Sequence, residues 1–154
     1  MSEYNVQYSK ENLIENCKIF IEEAVPFYTK LANLSRIIYN TFSNTSWAGF
    51  YLNIDGVLYL GPFQGEIACT MIKIGNGVCG RSALLKQTQL VPNVHEYPGH
   101  IACSSSTNSE IVVPIIKNEE VLGVIDLDSD EFDNYSYEDK VILEKLANIL
   151  IDIF

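Results

Sequence analysis

The 154-residue sequence predicts an α+β fold, a central and mostly antiparallel sheet with N-terminal and C-terminal helices packed on it. Three observations carry that expectation. Helical periodicity is concentrated at the two ends of the chain. Between them lie short apolar runs, punctuated by glycine, proline and asparagine. One punctuation is Asp55-Gly56, a dipeptide that folds consecutive strands back on each other because both turn positions need positive φ.

Taken in order, residues 10–42 read as two helices. Leu13, Ile14, Cys17, Phe20 and Ile21 recur at helical spacing, as do Leu31, Leu34, Ile37 and Ile38. Pro26 separates the two, since proline is tolerated at a helix start and not inside one. After the polar turn Ser43-Asn44-Thr45-Ser46, residues 47–54 form a strand and 57–63 its hairpin partner. Residues 65–70 leave the sheet in a loop that carries Cys69, and Met71-Ile72-Lys73-Ile74 is a short strand. Gly75-Asn76-Gly77 turns the chain into a short helix over 78–85. It is a weak phosphate loop, because the glycine and lysine that make such a loop specific do not follow. Gln89-Leu90-Val91 is a brief strand. Residues 109–116 and 121–128 pair across Lys117-Asn118-Glu119-Glu120. Ser136 caps the last helix, with Glu138 and Asp139 in its first turn where the helix dipole favours negative charge.

The totals bound the function. A chain of this length buries a core as one domain, 1–154. A net charge of −10 argues against non-specific nucleic-acid binding, because phosphates are repelled. No apolar run reaches the roughly 18 residues that cross a bilayer, so no membrane partner is expected. The N-terminus Met1-Ser2-Glu3-Tyr4-Asn5 lacks the pattern of a secretory signal, and the expected location is cytoplasmic. Four cysteines there rest as thiols. They include no Cys-x-x-Cys pair, and His95 and His100 are not spaced as zinc ligands beside them, so no metal and no cofactor is expected.

Chemistry concentrates in the polar segment 97–110, which holds Cys103 among Gly, Ser and Asn. Such a loop can aim several backbone N–H groups at one point and so stabilise a thiolate. Cys69 and Cys79 also lie in glycine-rich or turn-like sequence, a pattern that fits a redox relay of thiolate, sulfenic acid and disulfide. Cys17 falls on an apolar helical stripe and reads as a small core residue. Asp126 and Asp128 alternate onto one face of their strand. With Glu110 on the neighbouring strand, three carboxylates can converge near one thiol, and crowding would leave at least one protonated. Trp47 and Tyr51 share a strand face, as core residues or as an apolar wall for a ligand. His100 reads as a brace for its loop, with a general-acid role as the second option.

Several motifs occur together and in order. They are 47–52 (Trp-Ala-Gly-Phe-Tyr-Leu), 60–65 (Leu-Gly-Pro-Phe-Gln-Gly), Ala68-Cys69, 77–80 (Gly-Val-Cys-Gly), 98–103 (Pro-Gly-His-Ile-Ala-Cys), 109–114 (Ser-Glu-Ile-Val-Val-Pro) and 123–129 (Gly-Val-Ile-Asp-Leu-Asp-Ser). This set closely resembles the free methionine-(R)-sulfoxide reductase family, which is built on a GAF domain. The resemblance implies reduction of free L-methionine-(R)-sulfoxide with electrons from thioredoxin. It also implies Cys103 as nucleophile, with Cys69 and Cys79 resolving or passing on the disulfide, in an order left open. By the same resemblance Glu110, Asp126 and Asp128 bind and polarise the substrate, Trp47 and Tyr51 line the pocket for its methyl group, and a homodimer through the helices remains an option. One departure is visible: Ser104 follows the nucleophile where the family commonly has aspartate. Two rival readings are a GAF module that binds a small ligand without turnover, and a thiol redox sensor.

Overall fold

The computed structural model describes residues 4–154; Met1-Ser2-Glu3, part of the stretch read for a secretory signal, lies outside them. Helices α1 (Leu13–Ile21) and α2 (Phe27–Thr41) come first, followed by strands β1 (Thr45–Ile54), β2 (Val57–Gln64) and β3 (Met71–Lys73). Helix α3 (Gly77–Leu85), strand β4 (Gln89–Val91), strands β5 (Ser109–Lys117) and β6 (Glu120–Ser129) and helix α4 (Tyr137–Leu150) complete the order. Six strands form one sheet in the order β3-β2-β1-β6-β5-β4, and every neighbouring pair is antiparallel. Fold class and element order are those expected; strand boundaries move by one or two residues, and the first helix is shorter than expected, Leu13–Ile21.

Local chemistry explains the punctuation. Pro26 is the N-cap of α2 at φ −56°, so it starts a helix and interrupts none. Ser136 and Asp139 form a reciprocal capping box on α4. Asp55 and Gly56 both hold positive φ (51° and 83°) in the β1–β2 hairpin. The β5–β6 hairpin does the same with Asn118 and Glu119, and β5 and β6 run on until Lys117 faces Glu120.

The sheet has two unlike faces. On one, Ala48, Phe50 and Leu52 of β1, Ile111, Val113 and Ile115 of β5, and Ile125 and Leu127 of β6 pack against α1, α2 and α4 through Leu13, Leu34, Ile38, Leu143 and Leu146. Cys17 lies fully buried in this cluster, as its apolar stripe predicts. The opposite face packs Trp47, Tyr51, Val112 and Val124 against Val78, Cys79 and Ala83 of α3 and Val94 beyond β4. Among the described residues no helix is long and apolar enough to cross a membrane.

Candidate active site

Strand alternation decides which side chains reach the second face. On β6 the residues between Ile125 and Ser129 alternate, so Asp126 and Asp128 turn away from the helices that bury Leu127. Register then places Glu110 of β5 opposite Asp128, and Trp47 of β1 opposite Asp128 on its other side. Gly49 sits opposite Asp126. Three strands therefore deliver three carboxylates and an indole to one patch.

A narrow cavity of about 30 Å³ lies over this patch. Its walls include Trp47 and Tyr51 of β1, Gly77, Val78 and Cys79 at the start of α3, His100 and Cys103 of the long loop, and Glu110, Asp126 and Asp128. The expected site residues are thus brought together, with Cys69 just behind the wall. Cys69 is disulfide-bonded to Cys103, their Cα atoms 5.5 Å apart across 34 residues of chain. Cys103 also lines a second, outer groove beside Glu66, Ile67 and Ala68, where Ile67 is 89% exposed.

Cys79 has a different environment from the other two loop cysteines. It is a free, buried thiol, and its Sγ donates to Asp126 Oδ2 at 3.2 Å and lies 4.0 Å from Glu110 Oε1. Burial first, then the charges of Asp126 and Glu110, push its pKa well above that of a free thiol. It holds its proton at neutral pH.

The acids are shifted the same way. Burial is the main cause of the raised pKa of Glu110, Asp126 and Asp128, and charge repulsion between neighbours adds to it: Asp128 on Glu110, Glu110 on Asp126, Asp126 on Asp128. Among the described residues no lysine or arginine forms an ion pair with any of the three. Glu110 and Asp126 bond to each other only while a proton sits between them. Otherwise Asp126 Oδ1 is a buried acceptor without a donor. The site is poised to accept positive charge or to give a proton. His100 Nε2 faces Glu110 Oε2 at 3.6 Å, and burial lowers its pKa, so the ring is neutral near pH 7 and adds no cation.

Some supporting contacts were not among the sequence expectations. The Tyr51 hydroxyl donates to the carbonyl of Cys69 at 2.9 Å, so this tyrosine ties the cysteine loop to the sheet as well as lining the cavity. Trp47 Nε1 donates to the carbonyl of Glu66 at 3.1 Å, and its ring stacks on Phe63 and Tyr51. Two glycines make room for that indole. A Cβ on Gly49 would stand 2.8 Å from Trp47 Cη2 and 2.4 Å from Phe63 Cβ. One on Gly65 would stand 2.7 Å from Trp47 Cδ1, at a φ of +122° that side chains avoid.

A six-stranded antiparallel sheet with helices on one face and a loop-closed cavity on the other defines a GAF domain, and the GAF domain family profile matches residues 29–151. Among curated proteins, the free methionine-R-sulfoxide reductase of Saccharomyces cerevisiae is 43% identical over 96% of this chain and 88% of its own length. That of Escherichia coli is 45% identical over 79% and 73% respectively. The free methionine-R-sulfoxide reductase of Neisseria meningitidis, solved in complex with its substrate, superposes with a TM-score of 0.89 at 36% identity, covering 94% of this chain and 87% of its own. The chain belongs to the free methionine-R-sulfoxide reductase family of oxidoreductases.

Proposed function

We propose that residues 1–154 form one catalytic domain that reduces free L-methionine-(R)-sulfoxide to methionine at the cavity beneath Cys103. The observation that carries this reading is the position of one redox-active sulfur. Cys103 is bonded to Cys69 and opens onto the same enclosed space as Glu110, Asp126 and Asp128. The named relatives supply the substrate class.

The chemistry follows from what each group can hold. A free amino acid brings an ammonium, a carboxylate and a short side chain. The carboxylates, with no lysine or arginine paired to them among the described residues, attract the ammonium. The substrate carboxylate is drawn to the start of α3, where Gly77 and Val78 line the cavity and the first backbone N–H groups of the helix have no intrahelical partner. Trp47 and Tyr51 give the methyl group an apolar wall. A peptide-bound residue has neither free terminus, so an enclosed cavity of this kind selects the free amino acid.

Sulfoxide sulfur becomes electrophilic once its oxygen is neutralised. The Cys103 thiolate attacks that sulfur while a protonated carboxyl of the Glu110–Asp126–Asp128 cluster gives its proton to the oxygen. An S–S bond forms between Cys103 and the substrate as the S–O bond breaks and the oxygen leaves as hydroxide. That hydroxide attacks Cys103 Sγ, methionine leaves with the electron pair of the S–S bond, and Cys103 is left as a sulfenic acid. The Cys69 thiol displaces water from it, forming the Cys69–Cys103 bond. Two thiols are thus oxidised for one sulfoxide reduced. A dithiol reductant of the thioredoxin type reopens the disulfide by exchange, reaching it from the outer groove beside exposed Ile67. Such a cycle fits a reducing, cytoplasmic surround. Cys79, buried and holding its proton, is poorly suited to exchange and better suited to steadying Asp126.

A thioredoxin-coupled assay following NADPH loss tests the reading. Free (R)-sulfoxide is consumed, the (S)-epimer and a methionine-sulfoxide peptide are spared. Binding of the (R)-sulfoxide without NADPH loss would replace the enzyme with a ligand-sensing module.

A further inference from the structure

We propose that Cys79, Glu110 and Asp126 form a binding site for a soft divalent cation of the zinc or cadmium class, seated in the floor of the cavity. Linear spacing gives no sign of it, because the three ligands come from α3, β5 and β6. In space one ligand atom from each lies within 4.8 Å of the others, and all three residues are buried.

The distances suit one ion. Zinc bonds of about 2.3 Å to sulfur and 2.0–2.2 Å to oxygen, at tetrahedral angles, place sulfur and oxygen ligands about 3.6 Å apart. Cys79 Sγ stands 3.2 Å from Asp126 Oδ2 and 4.0 Å from Glu110 Oε1, on either side of that value. A second observation points independently to a cation. Asp126 Oδ1 is buried, its residue only 5% exposed, and has no hydrogen-bond donor unless a proton is shared with Glu110. An unpartnered buried carboxylate oxygen is costly, and a positive ion removes the cost.

The donor set also selects the ion. One thiolate with two carboxylates suits a borderline-soft metal, whereas magnesium and calcium prefer six or more oxygens. Three protein ligands leave a position open toward the cavity. On binding, the thiol proton of Cys79 and any proton shared by Glu110 and Asp126 pass to solvent, so the ion replaces protons and buries no net new charge on the acids. Under the function proposed above, the ion occupies the place of the substrate ammonium, and the soft cation becomes a competitive inhibitor of the enzyme.

The oxidised protein isolates this site, because the Cys69–Cys103 disulfide removes both of those sulfurs and leaves only Cys17 and Cys79 as free thiols. Cadmium chloride titrated into that form should raise a sulfur-to-cadmium charge-transfer band at one equivalent. The band should persist in Cys17→Ser and vanish in Cys79→Ser. Loss of even an outer-shell partner costs 10–100-fold in metal affinity. Asp126→Asn, its fold checked by near-ultraviolet circular dichroism, should therefore weaken cadmium by at least about tenfold. No band in the oxidised protein, an undiminished band in Cys79→Ser, or unchanged affinity in folded Asp126→Asn overturns the proposal. Methionine sulfoxide added to the cadmium-loaded protein should suppress the band. A band that resists it leaves the cation site standing and removes the shared substrate pocket instead.

Discussion

Neighbouring residues on β6 meet opposite surroundings: Ile125 and Leu127 are sealed against α1, α2 and α4, while Asp126 and Asp128 face the cavity under α3 and the Cys103 loop. The two buried free thiols make the same contrast. Cys17 lies among hydrocarbon, and burial alone pushes its pKa up to about 12. Cys79 is equally hidden, yet acids lie within reach of its sulfur and add their repulsion. Equal burial, then, does not mean equal role. One face of the sheet is stabilised by what it excludes from water, and the other concentrates charge that excludes itself, held in place by the first.

Removing a large side chain from the helical face should produce the largest loss of stability. Phe50→Ala takes a fully buried ring from the main cluster, and such truncations cost about 3–5 kcal/mol. Urea unfolding should show that loss with little change in KM for the folded fraction. A raised KM at unchanged stability would mean that the two faces are not separable.

Asp126→Asn reverses the pattern. Turnover should fall by about 10²-fold or more, the scale of a lost acid–base group. The same variant sharpens the contrast through pH. The folded pKa of Asp126 is above its ordinary 3.8, so between those values the native state keeps a proton that the unfolded chain gives up. Wild-type stability should therefore decline as pH rises from about 4 toward neutrality, by up to about 1.4 kcal/mol per pH unit for each proton retained. Asp126→Asn should flatten the decline. Identical slopes in the two proteins would remove the charge from the site's energetics.

The smallest effect belongs to Cys17→Ala, which trims a small side chain from the hydrocarbon face. A stability loss of about 1–2 kcal/mol is expected, with kcat and KM unchanged in the coupled assay. A large loss of turnover would give Cys17 a part in the chemistry.

Most of the fold could be read from the sequence because its signals are local: Asp55-Gly56 for a hairpin, Pro26 for a helix start, Ser136 with Asp139 for a cap. The three carboxylates were also legible, since period-two alternation puts Asp126 and Asp128 on one face and a paired strand brings Glu110 beside them. Partnerships between distant loops were not. Nothing in the spacing of 34 residues distinguishes Cys69 from Cys79 as the partner of Cys103; the three-dimensional structure bonds Cys69 to Cys103 and ties the Cys69 loop to the Tyr51 hydroxyl of β1. Gly49 and Gly65 read as turn or strand residues, whereas a side chain at either would also collide with the Trp47 indole.

That the Cys103 thiolate attacks the sulfoxide and that Cys69 resolves the resulting sulfenic acid can be tested in one trapping experiment. Reduced Cys69→Ser protein is given one equivalent of free (R)-sulfoxide in the presence of dimedone, and the peptides are mapped by mass spectrometry. The account expects one methionine per protein and the sulfenic-acid adduct on Cys103. An adduct on Cys79, with Cys103 unmodified, would contradict it.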